Sequence, residues 1–146
     1  MDTEIKVLLG QISFHKFPTV NVTVNDQTQS LTIDSDTWVT FNLDLPPNEH
    51  ISLTVEYYGK TNQDCIPIKQ QDTAVIIKDI SLNGIIDKKF IWEGVYQPDY
   101  PAHYEPKISK LTKIQYLGWN GVWTLEMPAP LFTWIHNTLD MGWIYD

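Results

Sequence analysis

A chain of 146 residues is long enough to bury a core of its own, and its one cysteine, Cys65, excludes an intrachain disulfide and any multi-cysteine zinc site. Ten basic residues, all Lys, against 18 acidic ones leave a net charge of −8; without an Arg fork or a basic stripe, a nucleic-acid partner is not expected. No apolar run approaches the roughly 18 residues of a membrane span, and the acidic start Met1-Asp2-Thr3-Glu4 lacks the basic residues of an export signal, so neither membrane insertion nor signal-directed export is expected.

Two-residue alternation dominates the first half. Ile5–Ser13 reads as a strand. Val20, Val22 and Val24 then share one face against Asn21 and Thr23, and Leu31–Ile33 forms a further short strand. Val39, Phe41, Leu43 and Leu45 alternate with Thr40, Asn42 and Asp44, and Ile51, Leu53, Val55 and Tyr57 alternate with Ser52, Thr54 and Glu56. The short Pro46-Pro47-Asn48-Glu49 between them is expected to turn an antiparallel hairpin. Gly59–Asp72 is a polar loop.

Two Asn-Gly dipeptides supply turn signals, because both central residues of a type I′ turn need positive φ. Asn83-Gly84 is expected to join Thr73–Leu82 to Ile85–Trp92, with Asp79 opposite Lys88. Asn120-Gly121 is expected to join Ile114–Trp119 to Val122–Met127. Between the hairpins, Gly94–Lys113 carries Pro98, Pro101 and Pro106, which forbid a helix and mark a long loop or arm. Leu131–Met141 is ambiguous. Pro130 and Gly142 would frame a short helix, whereas Phe132, Thr133, Trp134 and Ile135 favour a strand, and a strand followed by an irregular tail is the expectation. About nine to ten strands without internal repeats read as an all-β fold: a single antiparallel β-sandwich of jelly-roll type over residues 1–146, with a long Pro/Tyr-rich loop.

The last 57 residues hold 12 of the 18 aromatics and five of the six Trp, many beside Pro and Gly, a composition suited to a recognition surface. Tyr96, Tyr100, Tyr104, Trp119, Trp143 and Tyr145 are the candidate contact residues for a partner protein or glycan. Trp119, Trp123 and Trp134 have core packing as their alternative role. Among the acids, Asp64, Asp72 and Asp79 are candidate calcium ligands, since loops can deliver the six to eight hard oxygens that Ca²⁺ takes, but no EF-hand pattern occurs. No other cofactor is expected. His15, His50, His103 and His136 have no metal-ligand spacing, and no catalytic motif appears, so no enzymatic activity is expected.

Trp38–Gly84, with Trp38-Val39-Thr40-Phe41, Ile51-Ser52-Leu53-Thr54-Val55 and Ile77-Lys78-Asp79-Ile80-Ser81-Leu82-Asn83-Gly84, resembles jelly-roll carbohydrate-binding modules of the calcium-dependent, xylan-binding kind, about a third of the chain. The C-terminal runs Tyr116-Leu117-Gly118-Trp119-Asn120-Gly121-Val122-Trp123, Phe132–His136 and Gly142–Asp146 resemble small proteins of marine and T4-like tailed phages. The phage resemblance implies a non-enzymatic virion structural protein, a capsid decoration or a head, neck or tail attachment, localised to the virion, docked on other virion proteins in a larger assembly through its aromatic surface. The module resemblance implies the alternative, a carbohydrate-binding module for a surface polysaccharide; a glycan-active enzyme stands third.

Overall fold

The computed structural model describes residues 2–100 and 110–140. In chain order its strands are β1 (Asp2–Ile12), β2 (Thr19–Val24), β3 (Gln27–Thr32), β4 (Thr37–Asp44), β5 (Ile51–Tyr58), β6 (Ala74–Leu82), β7 (Ile85–Ile86), β8 (Val95–Pro98), β9 (Leu111–Thr112), β10 (Tyr116–Leu117) and β11 (Gly121–Met127). The described residues also form two α-helices, α1 (Lys89–Trp92) and α2 (Leu131–Thr138), and two 3₁₀ turns, Asn62–Asp64 and Pro67–Lys69. All pairings are antiparallel. One sheet has the order β10-β6-β1-β4 with β7 appended to β6, and the other runs β3-β2-β5-β11-β8-β9. The expected all-β sandwich is therefore what forms.

Alternation decides which faces meet. Ile5, Val7 and Leu9, with Val39 and Phe41, turn inward from the first sheet; Val20, Val22, Leu53, Val55, Trp123 and Leu125 turn inward from the second. Each such fully buried aliphatic side chain contributes about 1.5–3 kcal/mol of transfer free energy. On β6 the inward parity changes, from Val75 and Ile77 to Ile80 and Leu82. The cause is a bulge: Leu8 pairs with Asp79 but Leu9 pairs with Ile77, so Lys78 is the extra residue. The outer face of the second sheet is polar and cross-linked, with Asn21 Nδ2 donating to Glu56 Oε1 at 2.8 Å and Ser30 Oγ to Asn21 Oδ1 at 2.6 Å.

Four expected connections come out differently. Pro46–Glu49 does not turn a hairpin. β4 belongs to the first sheet and β5 to the second, so this segment crosses the sandwich. Asn120-Gly121 likewise carries the chain from β10 in the first sheet to β11 in the second. Asn83-Gly84 does adopt the expected turn, with φ of 49° and 83°, but the hairpin ends after Ile86, where α1 replaces the strand. Asp79 therefore faces Leu8 on β1 and not Lys88, whose Nζ instead donates to the Lys78 carbonyl at 2.6 Å. Finally, Leu131–Thr138 is the helix α2. Leu131 and Ile135, four residues apart, bury one stripe against the core, and Trp134 stacks on Phe90 of α1 at 5.7 Å between centroids. Packing of that stripe overrides the strand preference of Phe132, Thr133 and Trp134.

A two-residue hairpin without an Asn-Gly signal joins β2 to β3. Asn25 takes φ 51° there, and its Oδ1 accepts the Ser52 N–H at 2.9 Å, tying the turn to the start of β5.

Candidate functional site

The crossing between β10 and β11 builds a cleft of about 870 Å³. Tyr116 and Trp119 come from the crossing and its approach, Tyr96 and Tyr100 from β8 and the residues after it, Leu111 from β9, and Lys60, Cys65 and Asp72 from the loop between β5 and β6. Two residues of the crossing explain its path. Asn120 clamps the Lys60 backbone, accepting the Lys60 N–H and donating to the Lys60 carbonyl, both at 2.8 Å. Gly121 allows β11 to pass β8, because a Cβ there would lie 2.4 Å from the Gln97 carbonyl oxygen.

Tyr96 lines the cleft and also acts as a strut behind it. Its ring is 1% exposed, its hydroxyl donates to the Trp119 carbonyl, and the Trp119 N–H donates back to that hydroxyl at 3.2 Å. Burial pushes its phenol above the ordinary tyrosine range. Trp119 is half-buried, with Lys60 Nζ 5.3 Å from its ring centroid, a cation–π arrangement. Tyr100 is half-buried and also lines the cleft. Trp123 fills the core completely, and Trp134 packs between core and surface. Tyr104, Trp143 and Tyr145 lie outside the described residues.

The polar floor is an internal ion pair. The Lys60 side chain is 1% exposed, with Nζ 2.5 Å from Asp72 Oδ1 and donating also to the Gly118 carbonyl. Asp72 Oδ1 further accepts the Thr73 N–H at 2.8 Å, and Oδ2 accepts the exposed Tyr116 hydroxyl. Burial alone would raise the Asp72 carboxyl, but the Lys60 ammonium and the Tyr116 hydroxyl outweigh it and hold the group below the usual carboxylate range. The same burial, with Asp72 nearby, pushes the Cys65 thiol up.

A fully buried carboxylate anchors the loop. Asp64 is 0% exposed; Oδ2 accepts the Thr61 N–H at 2.7 Å and pairs with Lys16 Nζ at 3.0 Å, while His15 Nε2 lies 2.7 Å from Oδ1 without in-line hydrogen-bond geometry. Burial raises this carboxyl too, and the Thr61 and Lys16 donors more than offset it, so its pKa is also lowered. Asp79 stands apart on β6, where Oδ1 accepts its neighbour Ile80's N–H at 3.1 Å. The three candidate calcium ligands thus do not converge. Two are already neutralised by lysines, and among the described residues no group of three His, Cys, Asp or Glu could hold a metal ion. The donor set of Asp64, Asp72 and Asp79 does not fit calcium, which takes six to eight oxygens on one point.

One grouping has the composition of a catalytic triad but not its geometry. Ser52 Oγ and His50 Nε2 both approach the Glu126 carboxylate, on the exposed outer face of the second sheet, so the hydroxyl is not on the imidazole. Of the contact residues expected from sequence, Tyr96, Tyr100 and Trp119 line the cleft, together with Lys60 and Tyr116, which the sequence did not single out for this role. No local pattern marks Lys60; its partner Asp72 is twelve residues away.

No family model matches the sequence, and no curated protein matches it. Two solved structures do. One is a vCBM60 in complex with galactobiose, at 14% identity and a TM-score of 0.55, covering 84% of this chain and 96% of that one. The other is the selenomethionine form of vCBM60, at 14% identity and a TM-score of 0.54, covering 84% and 89%; it is described together with a circular permutation that links two families of calcium-dependent carbohydrate binding modules. At this identity the likeness is one of fold, and the fold of this chain is similar to that of carbohydrate-binding modules.

Proposed function

We propose that the protein is a non-catalytic glycan-binding domain whose site is the aromatic cleft between β8, β10 and the loop from Gly59 to Asp72. The observation that carries this is the cleft itself. Its volume of about 870 Å³ lies in the range of small-ligand sites, and it brings Trp119, Tyr100 and Tyr116 together with the amide of Gln115 and the carboxylate of Asp72. Flat rings with polar edges beside hydrogen-bonding groups are what a sugar ring needs, an apolar C–H face on one side and hydroxyl partners at the margin. The net charge of −8 favours a neutral oligosaccharide over an acidic one.

The fold supports this reading over docking on a virion, since both similar structures are carbohydrate-binding modules and one holds galactobiose. A glycan array that includes galactobiose, followed by calorimetric titration, tests it. The expected result is saturable binding of a neutral oligosaccharide, weakened at least tenfold, about 1.4 kcal/mol, by Trp119→Ala in a chain that still melts cooperatively. Binding to no glycan, or binding unchanged when Trp119 and Tyr100 are both replaced by Ala, refutes it.

A further inference from the structure

The two modules of like fold belong with calcium-dependent carbohydrate binding modules, yet the carboxylate at the floor of this cleft is already occupied by a cation that the chain itself carries. We propose that the Lys60 ammonium stands in this cleft where a divalent cation would otherwise organise it, so that ligand capture here is independent of calcium. The capture half of this inference rests on the glycan-binding reading above.

Three sets of contacts define the built-in cation. Nζ is held by a carboxylate, Asp72 Oδ1 at 2.5 Å, and by a backbone carbonyl, Gly118 O, the same two oxygen types that line calcium sites. Trp119 closes over it with its ring. The backbone from which the stem springs is fixed, because Asn120 holds both the N–H and the carbonyl of Lys60. A calcium ion at Asp72 would have to displace an ammonium that is 1% exposed, and among the described residues it would gather the Asp72 carboxylate and the Gly118 carbonyl that now hold Nζ, far short of its usual coordination. The fully buried Asp64 carboxylate pairs at 3.0 Å with Nζ of Lys16, a lysine that unlike Lys60 is partly exposed, so both acids of the loop already face a lysine of the chain.

The built-in cation also accounts for the position of the aromatic wall. Trp119 is held at its backbone by the Tyr96 hydroxyl and meets the ammonium with its ring, and the Tyr116 hydroxyl donates to the far oxygen of the same carboxylate. Removing the charge should therefore release two rings at once, which a calcium-organised site would not do on loss of a lysine.

The test uses the full chain. Calcium chloride is titrated into metal-stripped protein by calorimetry without glycan, and melting is recorded in calcium and in EDTA; no saturable heat and an unchanged melting temperature are expected. Saturable calcium binding that Asp72→Asn abolishes overturns the proposal, whereas calcium binding that Asp72→Asn leaves intact lies outside the cleft and leaves the assignment standing. In parallel, Lys60→Ala should lower the melting temperature and shift the Trp119 indole N–H resonance, with methylammonium restoring part of both while leaving the parent chain unchanged. An unaltered melting temperature and an unaltered indole resonance in Lys60→Ala overturn it; if Lys60→Ala does not fold, Lys60→Met, which keeps the stem, carries the same readout. Glycan binding to the parent chain that EDTA abolishes overturns it too. Should no glycan bind at all, the glycan-binding reading fails, while the calcium titration and the methylammonium rescue still decide the cation.

Discussion

Tyr96→Phe removes one oxygen atom and nothing else from the core, and the structure gives that oxygen two partners. The hydroxyl donates to the Trp119 carbonyl and accepts the Trp119 N–H at 3.2 Å, in a half-buried segment where Phe can fill the ring's volume but serve neither group. A net hydrogen bond is worth about 0.5–1.5 kcal/mol, and a stranded buried backbone group costs about 1–3 kcal/mol, so the double loss is about 2–3 kcal/mol after water reaches part of the segment. For a domain of this size each kcal/mol moves the melting temperature by about 2–4 °C, giving an expected fall of about 5–10 °C. Differential scanning calorimetry at neutral pH measures it. A fall of less than about 2 °C refutes the claim that Tyr96 positions Trp119, because the mechanism assigns at least one full hydrogen bond to that hydroxyl.

Acid should destabilise the fold through Asp64 and Asp72. Both carboxyls titrate lower in the folded chain than in the unfolded one, so the stability they contribute is complete above the unfolded value of about 3.9 and is lost as pH falls through the lower folded values. Melting temperatures should decline more steeply below about pH 4 in the parent chain than in Asp72→Asn, and parallel curves would count against the pairing. Gly94→Ala should shift the urea midpoint by the equivalent of about 3 kcal/mol or more, since the new Cβ would meet the fully buried Trp123 ring at 2.2 Å; a shift below about 1 kcal/mol would show that Trp123 can move aside. Asn25→Ala forfeits both a residue tolerant of φ 51° and the acceptor of the Ser52 N–H, and equilibrium unfolding should register a loss of about 1–2 kcal/mol, against none if the turn is unimportant.

The strands were legible because Val20-Val22-Val24 or Ile51-Leu53-Val55-Tyr57 can bury only one face, and a half-buried strand has no other way to do so. Which sheet each strand joins was not legible. Pro46–Glu49 is as short as a hairpin turn, and a tight crossing between two packed sheets uses the same residues as a turn within one. The Asn-Gly at 120 misled for a related reason: there Asn is chosen for its amide, which grips Lys60, and Gly for the closeness of Gln97, not for a turn. α2 was misread because its helical stripe of Leu131 and Ile135 is only two residues long, weaker as a signal than the β-formers between them. At the cleft, aromatic richness marked the stretch of chain that supplies most of the aromatic lining but not the burial of each ring, because exposure depends on neighbours remote in sequence. Tyr96 lies on β8 beside Trp123, which buries it, whereas Tyr116 lies in a strand of two residues that leaves it open.

The crossing from β10 to β11 places the cleft across the seam of the sandwich, with Tyr116 rooted in one sheet and Tyr96 and Leu111 in the other. A molecule seated there touches both halves at once and acts as a rivet. Opening the seam would then require its release, so hydrogen exchange at β8 and at β10 should slow together on binding, although the two strands share no hydrogen bond.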